Sequence, residues 1–269
     1  MGVVKAVPLP LRILARVFVA VTVLGLLAPL IVVVAASVSE NQYISFPPQG
    51  FSLIWYRKVL SSDDYMSAAA LSFGLALAVT VAATLIGGAA AIAIHRRKLP
   101  YPQLIGAVFI SPLMLPTIIY AIGMLMLWSS MFGVVTVFTL WISHTIIATP
   151  YVVRTTLAVL SDSDPFLEEA ARTMGANRLQ RLMLVVVPQC LPGLAAGAFF
   201  AFNLSFDEAV LSLFLRKPDL TTLPVEIYSK LEFSPDPSVA AVSSIMIALT
   251  VVLIIVIDRV VGIKKFAST

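Results

Sequence analysis

The residues best placed to do chemistry are two adjacent carboxylates, Asp207 and Glu208, inside the apolar stretch FFAFNLSFDEAVL. A carboxylate that faces lipid costs about 1–3 kcal/mol, so we expect both acids to face the bundle interior, water or a partner. Asn203 lies one helical turn before Asp207, and Ser205 and Glu208 follow a neighbouring face. These four residues predict a polar stripe along a translocation path that favours a cationic solute.

The two acids have an alternative structural interpretation, and two other residues, His144 and Cys190, also need to be considered for a chemical role. The acids could mark a helix end at the membrane interface, or pair with Arg216 or Lys217. His144 lies alone within an apolar segment, where a hydrogen bond between helices is the commoner role and a proton relay is the alternative. Cys190 is the single cysteine, which excludes an internal disulfide and a cysteine-based metal cluster.

The sequence carries no recognisable catalytic constellation. No HExxH, GxSxG or paired-histidine pattern occurs, and no GxxxxGK[ST] phosphate-binding loop is present. An intramembrane enzyme is therefore disfavoured, and any ATP must be hydrolysed by another chain. We expect a transport subunit with no catalytic residues, no bound metal and no cofactor.

A charged, helix-forming island, EAARTMGANRLQRLMLVVVP, lies between long apolar segments. Asp164-Pro165 precedes this charged segment and predicts a helix start, with an acid as N-cap and proline at the first helical position. Gly175 predicts a left-handed stop, and Asn177 can cap a second short helix that runs to Pro188. The expected product is a bent helix–glycine–helix at a membrane surface, a shape suited to docking.

These residues resemble the EAA loop of binding-protein-dependent ABC transporter permeases. Glu169-Ala170-Ala171, Gly175 and Val187-Pro188 stand in the family's order, although the family's Ile-x-Leu-Pro ending has valine at both aliphatic positions here. In that family the loop is a cytoplasmic coupling helix that sits in a cleft of the ATP-binding subunit. The resemblance implies an ATPase-coupling element made of Glu168, Glu169, Ala170, Ala171, Gly175 and Pro188.

The chain is also similar to the second permease of spermidine/putrescine-type importers, from the FSLIWY segment onward. The LSFDEAV stretch and the later TLPVEIY carry this likeness. The acid pair is usually Asp-Asp in those proteins, and Asp207-Glu208 here moves one carboxylate outward by a methylene. Relatives with this pattern are thought to import opines, aminobutyrate-like compounds and aminoalkylphosphonates as well, so these remain alternative solutes.

Composition and charge-free windows indicate a polytopic, all-α membrane protein. Hydrophobic residues make up 59% of the 269 and charged residues only 12%. A span needs about 20 apolar residues to cross about 30 Å of hydrocarbon. Six spans are predicted, at Val17–Val38, within Tyr65–Ile94, near 104–127, near 134–153, within Leu191–Leu215 and within Ser238–Ile257, with a turn at 128–133.

The distribution of basic residues predicts the orientation. With the N-terminus inside, thirteen of the 18 Lys and Arg residues fall on the cytoplasmic side, which supports two cytoplasmic termini and a cytoplasmic 154–190 loop. The net charge of +4 then needs no nucleic-acid partner. A cleaved signal peptide ending near Val34–Ser37 is the alternative for the first span, whose apolar run exceeds the usual signal length.

The resemblance implies a single permease domain over 1–269 with the all-α, type I ABC importer permease fold, in a bacterial inner membrane. Its predicted function is to pass a small, cationic, polyamine-like amine from a periplasmic binding protein into the cytoplasm. The resemblance implies ATP-binding cassette subunits, a second homologous permease and the binding protein as partners. A secondary transporter is the rival class, but it leaves the EAA-like loop unexplained and typically shows inverted repeats. A membrane scaffold is a further alternative.

Overall fold

The computed structural model describes residues 9–96, 100–164, 166–217 and 220–261, and these are almost wholly helical. Besides α-helices, they include a 3₁₀ turn at Ser111–Met114 and a π-helical turn at Leu182–Val186. The α-helices are α1 (Leu9–Ser37), α2 (Ile54–Leu60), α3 (Asp63–His95), α4 (Pro102–Ile110), α5 (Thr117–Phe132), α6 (Val137–Ser161), α7 (Phe166–Thr173), α8 (Arg178–Arg181), α9 (Val187–Asp207), α10 (Ala209–Phe214), α11 (Leu223–Phe233) and α12 (Ser238–Val261).

Four of the described helices are long and apolar enough to cross a membrane: Pro10–Ser37, Asp63–His95, Arg178–Asp207 and Ser238–Ile257. A fifth is formed if the bent pair Pro102–Met114 and Thr117–Phe132 counts as one span. The helix at the predicted fourth span, α6, has 25 residues but interrupts its apolar sequence with serine, threonine, proline and His144. Six spans therefore remain a prediction.

The structure divides into two compact units, of which the larger comprises Asp63–Ser229 with the described residues from Ala248 onward. Its core is made by α3, α6 and α9, each of which packs against the other two. Fully buried side chains from these helices, such as Val79 and Val152, form one apolar cluster with Leu211 of α10. The helices that carry the candidate functional residues thus share a single core.

Close contact between α6 and α9 depends on two glycines one helical turn apart. A Cβ at Gly193 would lie 2.7 Å from the carbonyl oxygen of Thr155, and one at Gly197 would lie 2.7 Å from Cα of Val152. Side chains larger than hydrogen have no room at either position. This spacing of small residues is the usual means by which membrane helices bring their backbones together.

The smaller unit comprises the described residues up to Ser62 with Lys230–Ile247. Here α2 covers Ile54–Leu60, and its Trp55 donates an indole hydrogen bond of 2.9 Å to the carbonyl oxygen of Ser39. Lys58 Nζ lies 2.6 Å from Oδ2 of Asp236. Partial burial acts to raise the pKa of Asp236, but hydrogen bonds from Lys58 and Ser238 outweigh it, so the pKa lies below its usual range.

The predicted span near 104–127 forms a bent pair of helices, because Leu115 before Pro116 is extended and the two halves meet at 101°. The turn predicted at 128–133 was misplaced, since it begins only at Gly133 (φ 73°), where α5 ends. The 11-residue α11 forms later in the chain, with Pro224 in its first turn, where proline is tolerated.

Some of the sequence predictions fall on residues that the structure leaves out. Five of the basic residues that set the predicted orientation lie outside the described residues: Lys5, Arg97, Lys98, Lys264 and Lys265. Pro165, the expected first helical position of the loop, also lies outside them.

Candidate functional site

The loop between α6 and α9 has the predicted helix–glycine–helix shape. The Asp164 carboxylate accepts a 2.9 Å hydrogen bond from the backbone N–H of Phe166, where α7 begins. Gly175 has φ +87°, and the N–H of Ala176 bonds back to the carbonyl oxygen of Ala171, which closes the end of α7. Asn177 and Gln180 then form a reciprocal capping box that starts α8.

The second helix of the loop was predicted to end at Pro188. In the structure it continues past Pro188 into the membrane helix α9. Arg178–Asp207 is one 30-residue helix that contains the π-helical turn Leu182–Val186. Proline has no N–H to give to the residue four positions earlier, and its ring crowds that carbonyl. A widened π turn just before Pro188 relieves this clash without ending the helix. The loop and α9 are therefore mechanically continuous.

The two glutamates of α7 have different surroundings. Oε1 of Glu168 lies 2.7 Å from Nη2 of Arg96 and 3.7 Å from Nη1 of Arg181. Glu169 and Ala170 are exposed, whereas Ala171 is buried. Of the predicted coupling residues, Glu168 and Ala171 thus hold the loop on the protein, and Glu169 and Ala170 lie on its free surface.

Large apolar side chains accompany Glu169 on the exposed surface of the loop. Phe166 is 70% exposed, Met174 81%, Leu179 63% and Leu184 73%. An apolar group of this kind on a charged loop is typical of a protein–protein contact. Sequence reasoning missed these residues, although Met174, Leu179 and Leu184 stand as large apolar residues inside the charged island and Phe166 stands just before it.

The four residues predicted to line a polar stripe do not form one continuous face. Asn203 Oδ1 accepts a 3.4 Å hydrogen bond from Thr250 of α12, and Ser205 is buried. Helix α9 ends at Asp207, which is exposed, and Glu208 has extended backbone and caps α10 by accepting from the N–H of Leu211 at 3.0 Å. The acids thus mark a break between two helices.

Neither acid at this break forms an ion pair with Arg216 or Lys217, all four residues being described. The alternative that basic neighbours neutralise the acids is therefore not what the structure shows. The alternative that they mark a helix end agrees with the break itself. Asp207, the last residue of α9, is exposed beside this break.

His144 connects the two sides of this break. Its Nδ1 lies 3.0 Å from the Ser205 hydroxyl on α9, and its Nε2 lies 3.2 Å from the Ser212 hydroxyl on α10. The imidazole is fully buried. The predicted role of His144 as a hydrogen-bond partner between helices is confirmed. Which serines it joins could not be predicted, because that depends on how α6 packs against α9 and α10.

Within the described residues, no group of three or more His, Cys, Asp or Glu side chains could hold a metal ion. Cys190 is buried between Leu160 and Val186 as an apolar filler. The arrangement therefore offers an exposed loop that carries large apolar side chains and is continuous with a membrane helix, and a polar break in that helix. Such a combination defines a polytopic membrane subunit that works with a partner.

The chain belongs to the family described as "Binding-protein-dependent transport system inner membrane component", which matches residues 83–263. It is 30% identical over 227 residues to the spermidine/putrescine transport system permease protein PotC of Escherichia coli K12, covering 84% of this chain and 86% of PotC. It is 27% identical over 229 residues to the putrescine transport system permease protein PotI of the same strain, covering 82% and 81%.

The fold is shared with a chain of a solved transporter. That crystal structure is of a bacterial ABC transporter involved in the import of the acidic polysaccharide alginate; the TM-score is 0.67 at 18% identity, covering 94% of this chain and 95% of that chain. The protein is thus a multi-pass inner-membrane permease of a binding-protein-dependent ABC importer, and it is not itself catalytic.

Proposed function

We propose that this permease passes a small cationic amine, of the polyamine class, from a periplasmic binding protein into the cytoplasm. The observation that carries the proposal is the 30% identity to a spermidine/putrescine permease over 84% of the chain. The exposed carboxylate of Asp207 beside the break in α9 supports it, since a fixed negative charge in a low-dielectric path favours a cation.

The proposed topology has six spans, with both termini and the 154–190 loop in the cytoplasm, and the whole chain 1–269 as one permease domain. The bent pair α4–α5 serves as the third span. The 25-residue α6 serves as the fourth, with its polar side chains turned towards other helices. The burial of His144, Thr149 and Thr156 supports this, because polar groups in a membrane helix normally face the bundle.

The proposed coupling element is α7 with α8. Glu169 and Ala170, together with the exposed Phe166 and Met174, form the surface that enters a cleft of the ATP-binding subunit. Gly175 sets the angle between the two helices through its positive φ. Since α8 continues into α9, movement of the loop reaches the break at Asp207 and Glu208 through one helix.

The proposed mechanism is alternating access, with two ATP-binding subunits, a second homologous permease and a binding protein. The solute enters between the two permeases at the outer face. ATP drives the change because it binds the two conformations with different affinity, and the loop carries that difference to the membrane helices.

The experiment that tests the solute class is a ligand panel against the cognate binding protein, read by calorimetry. The panel contains putrescine and spermidine, with an opine, an aminobutyrate and an aminoalkylphosphonate as the alternatives. We expect heat of binding with the polyamines. Binding of one alternative, with none of either polyamine, would move this permease to that solute.

A further inference from the structure

Glu168 lies at the meeting point of three elements of the larger unit. Arg96 follows the end of α3, Glu168 is in the first turn of α7, and Arg181 is the last residue of α8. One carboxylate oxygen, Oε1, approaches both guanidinium groups, at 2.7 and 3.7 Å. The two arginines therefore share one acid.

This cluster is more enclosed than an ordinary surface ion pair. The side chains of Arg96, Glu168 and Arg181 are 18%, 27% and 17% exposed. Enclosed charges attract more strongly than exposed ones, but an enclosed charge that loses its partner also costs more free energy, because it is poorly hydrated. Nε and Nη2 of Arg96 and Nε of Arg181 are buried and make no hydrogen bond in the described part of the chain, so Nη2 of Arg96 meets Glu168 as an ion pair without hydrogen-bond geometry. Removing the carboxylate would leave two enclosed cations close together with no shared acid.

The cluster connects the loop to the core. Helix α3 packs against α9, and α8 runs into α9 through the π turn. A cavity of about 360 Å³ adjoins α7, and Arg96, Glu168, Glu169 and Arg181 are among the residues that line it. The space would let α7 shift against the membrane helices unless something held it there.

We propose that Glu168 is a positioning residue that locks α7 to the ends of α3 and α8, so that the docking helix moves with the membrane helices as a lever. Glu169, one position further on, is left free on the exposed surface for the ATPase. This inference rests on the proposed role of α7 as the docking element. It assigns the two neighbouring glutamates to separate roles: Glu168 transmits movement to the membrane helices, and Glu169 contacts the ATPase.

The test compares Glu168→Gln with the matched control Glu169→Gln in the complete transporter in proteoliposomes. Both substitutions remove one charge from the same turn of α7 and keep the side-chain size. The measured quantity is ATP hydrolysed per solute taken up. We expect this ratio to rise about fivefold or more in Glu168→Gln, as a coupling free energy of about 1 kcal/mol or more implies. In Glu169→Gln we expect weaker ATPase stimulation with an unchanged ratio.

A covalent substitute for the ion pair provides the second test, which also serves if Glu168→Gln fails to assemble. Arg96→Cys with Glu168→Cys, in a Cys190→Ser background, can be joined by a short bifunctional thiol reagent. We expect joining to restore the wild-type ratio, and the unjoined pair to hydrolyse ATP wastefully. Equal ratios before and after joining, or a wild-type ratio in Glu168→Gln, would overturn this proposal alone. A wild-type complex with no ATP-driven uptake would instead overturn the proposed function, and the lever with it.

Discussion

Adjacent side chains in this permease face different surroundings, and this holds for the acid pairs Glu168-Glu169 and Asp207-Glu208. In α7, Glu168 is paired inside the protein while Glu169 is exposed. At the end of α9, Asp207 is exposed while Glu208 caps the next helix. One residue of each pair thus maintains the backbone geometry, and the other presents a charge. Sequence alone could not separate the two roles, because neighbouring carboxylates look equivalent until the helix ends are known.

The first residue-level prediction concerns Gly175. A β-branched side chain resists the φ of +87° observed there, at a cost of about 1–3 kcal/mol. Gly175→Val should misdirect α8 and remove transport-stimulated ATPase activity while the permease still inserts. Gly175→Asn is the matched control, because asparagine tolerates this conformation, and it should keep most of the activity. Full stimulated activity in Gly175→Val would show that the reversal is not needed for coupling.

The second residue-level prediction concerns the acids at the break. Asp207→Asn removes a charge that makes no ion pair with Arg216 or Lys217, so uptake of a polyamine should fall while the complex assembles. Glu208→Gln keeps a side-chain oxygen that can accept from Leu211, so α10 should remain capped. The measurement is radiolabelled uptake by each single variant and the double. Wild-type uptake by the double variant would remove both acids from the solute path.

The helices differ in how far the sequence predicted them. The last span matched at Ser238–Ile257, because an apolar run with clear polar limits defines such a segment. The bend between α4 and α5 lies at Pro116, because proline disfavours a helical residue before it. The continuity of α8 with α9 was missed because proline was taken as the end of the helix, whereas a π turn lets the helix continue past Pro188.

The prediction at this level concerns the contact between α6 and α9. Gly197→Val would place side-chain atoms where Cα of Val152 lies, and overpacking of this kind costs about 1–3 kcal/mol or more. The variant should melt at a lower temperature in detergent than the wild type. The control is Gly74→Val on α3, where no atom lies within 4 Å of an added Cβ, and its melting temperature should change little. Equal melting temperatures of the two variants would contradict the close approach.

On the proposed function, this chain forms half of a transport pathway. It supplies one docking loop and, on the proposed topology, six spans; nearly all of α1 is exposed, as expected of a helix that faces lipid or a partner. Hydropathy predicted a polytopic membrane protein from the sequence. It could not count the spans, because the polar residues that let α6 join the core also lower its hydropathy.

Stoichiometry is the prediction for the assembled transporter. Two loops are needed to engage two ATP-binding subunits, and the likeness to a second permease of polyamine importers favours a heterodimer. Native mass spectrometry of the purified transporter should show one copy of this chain beside a different membrane subunit. Two copies with no other permease would make the pathway a homodimer.

The most direct test of the central claim is ATP-driven uptake by the reconstituted transporter. Proteoliposomes with this permease, its partner permease and the ATP-binding subunits receive the cognate binding protein outside and ATP inside. We predict that labelled putrescine or spermidine accumulates, and that accumulation stops without ATP, without the binding protein, or with Glu169→Lys in the loop. Accumulation that is the same with and without ATP would contradict the account, since it would identify a transporter driven by its solute gradient rather than by the docking loop.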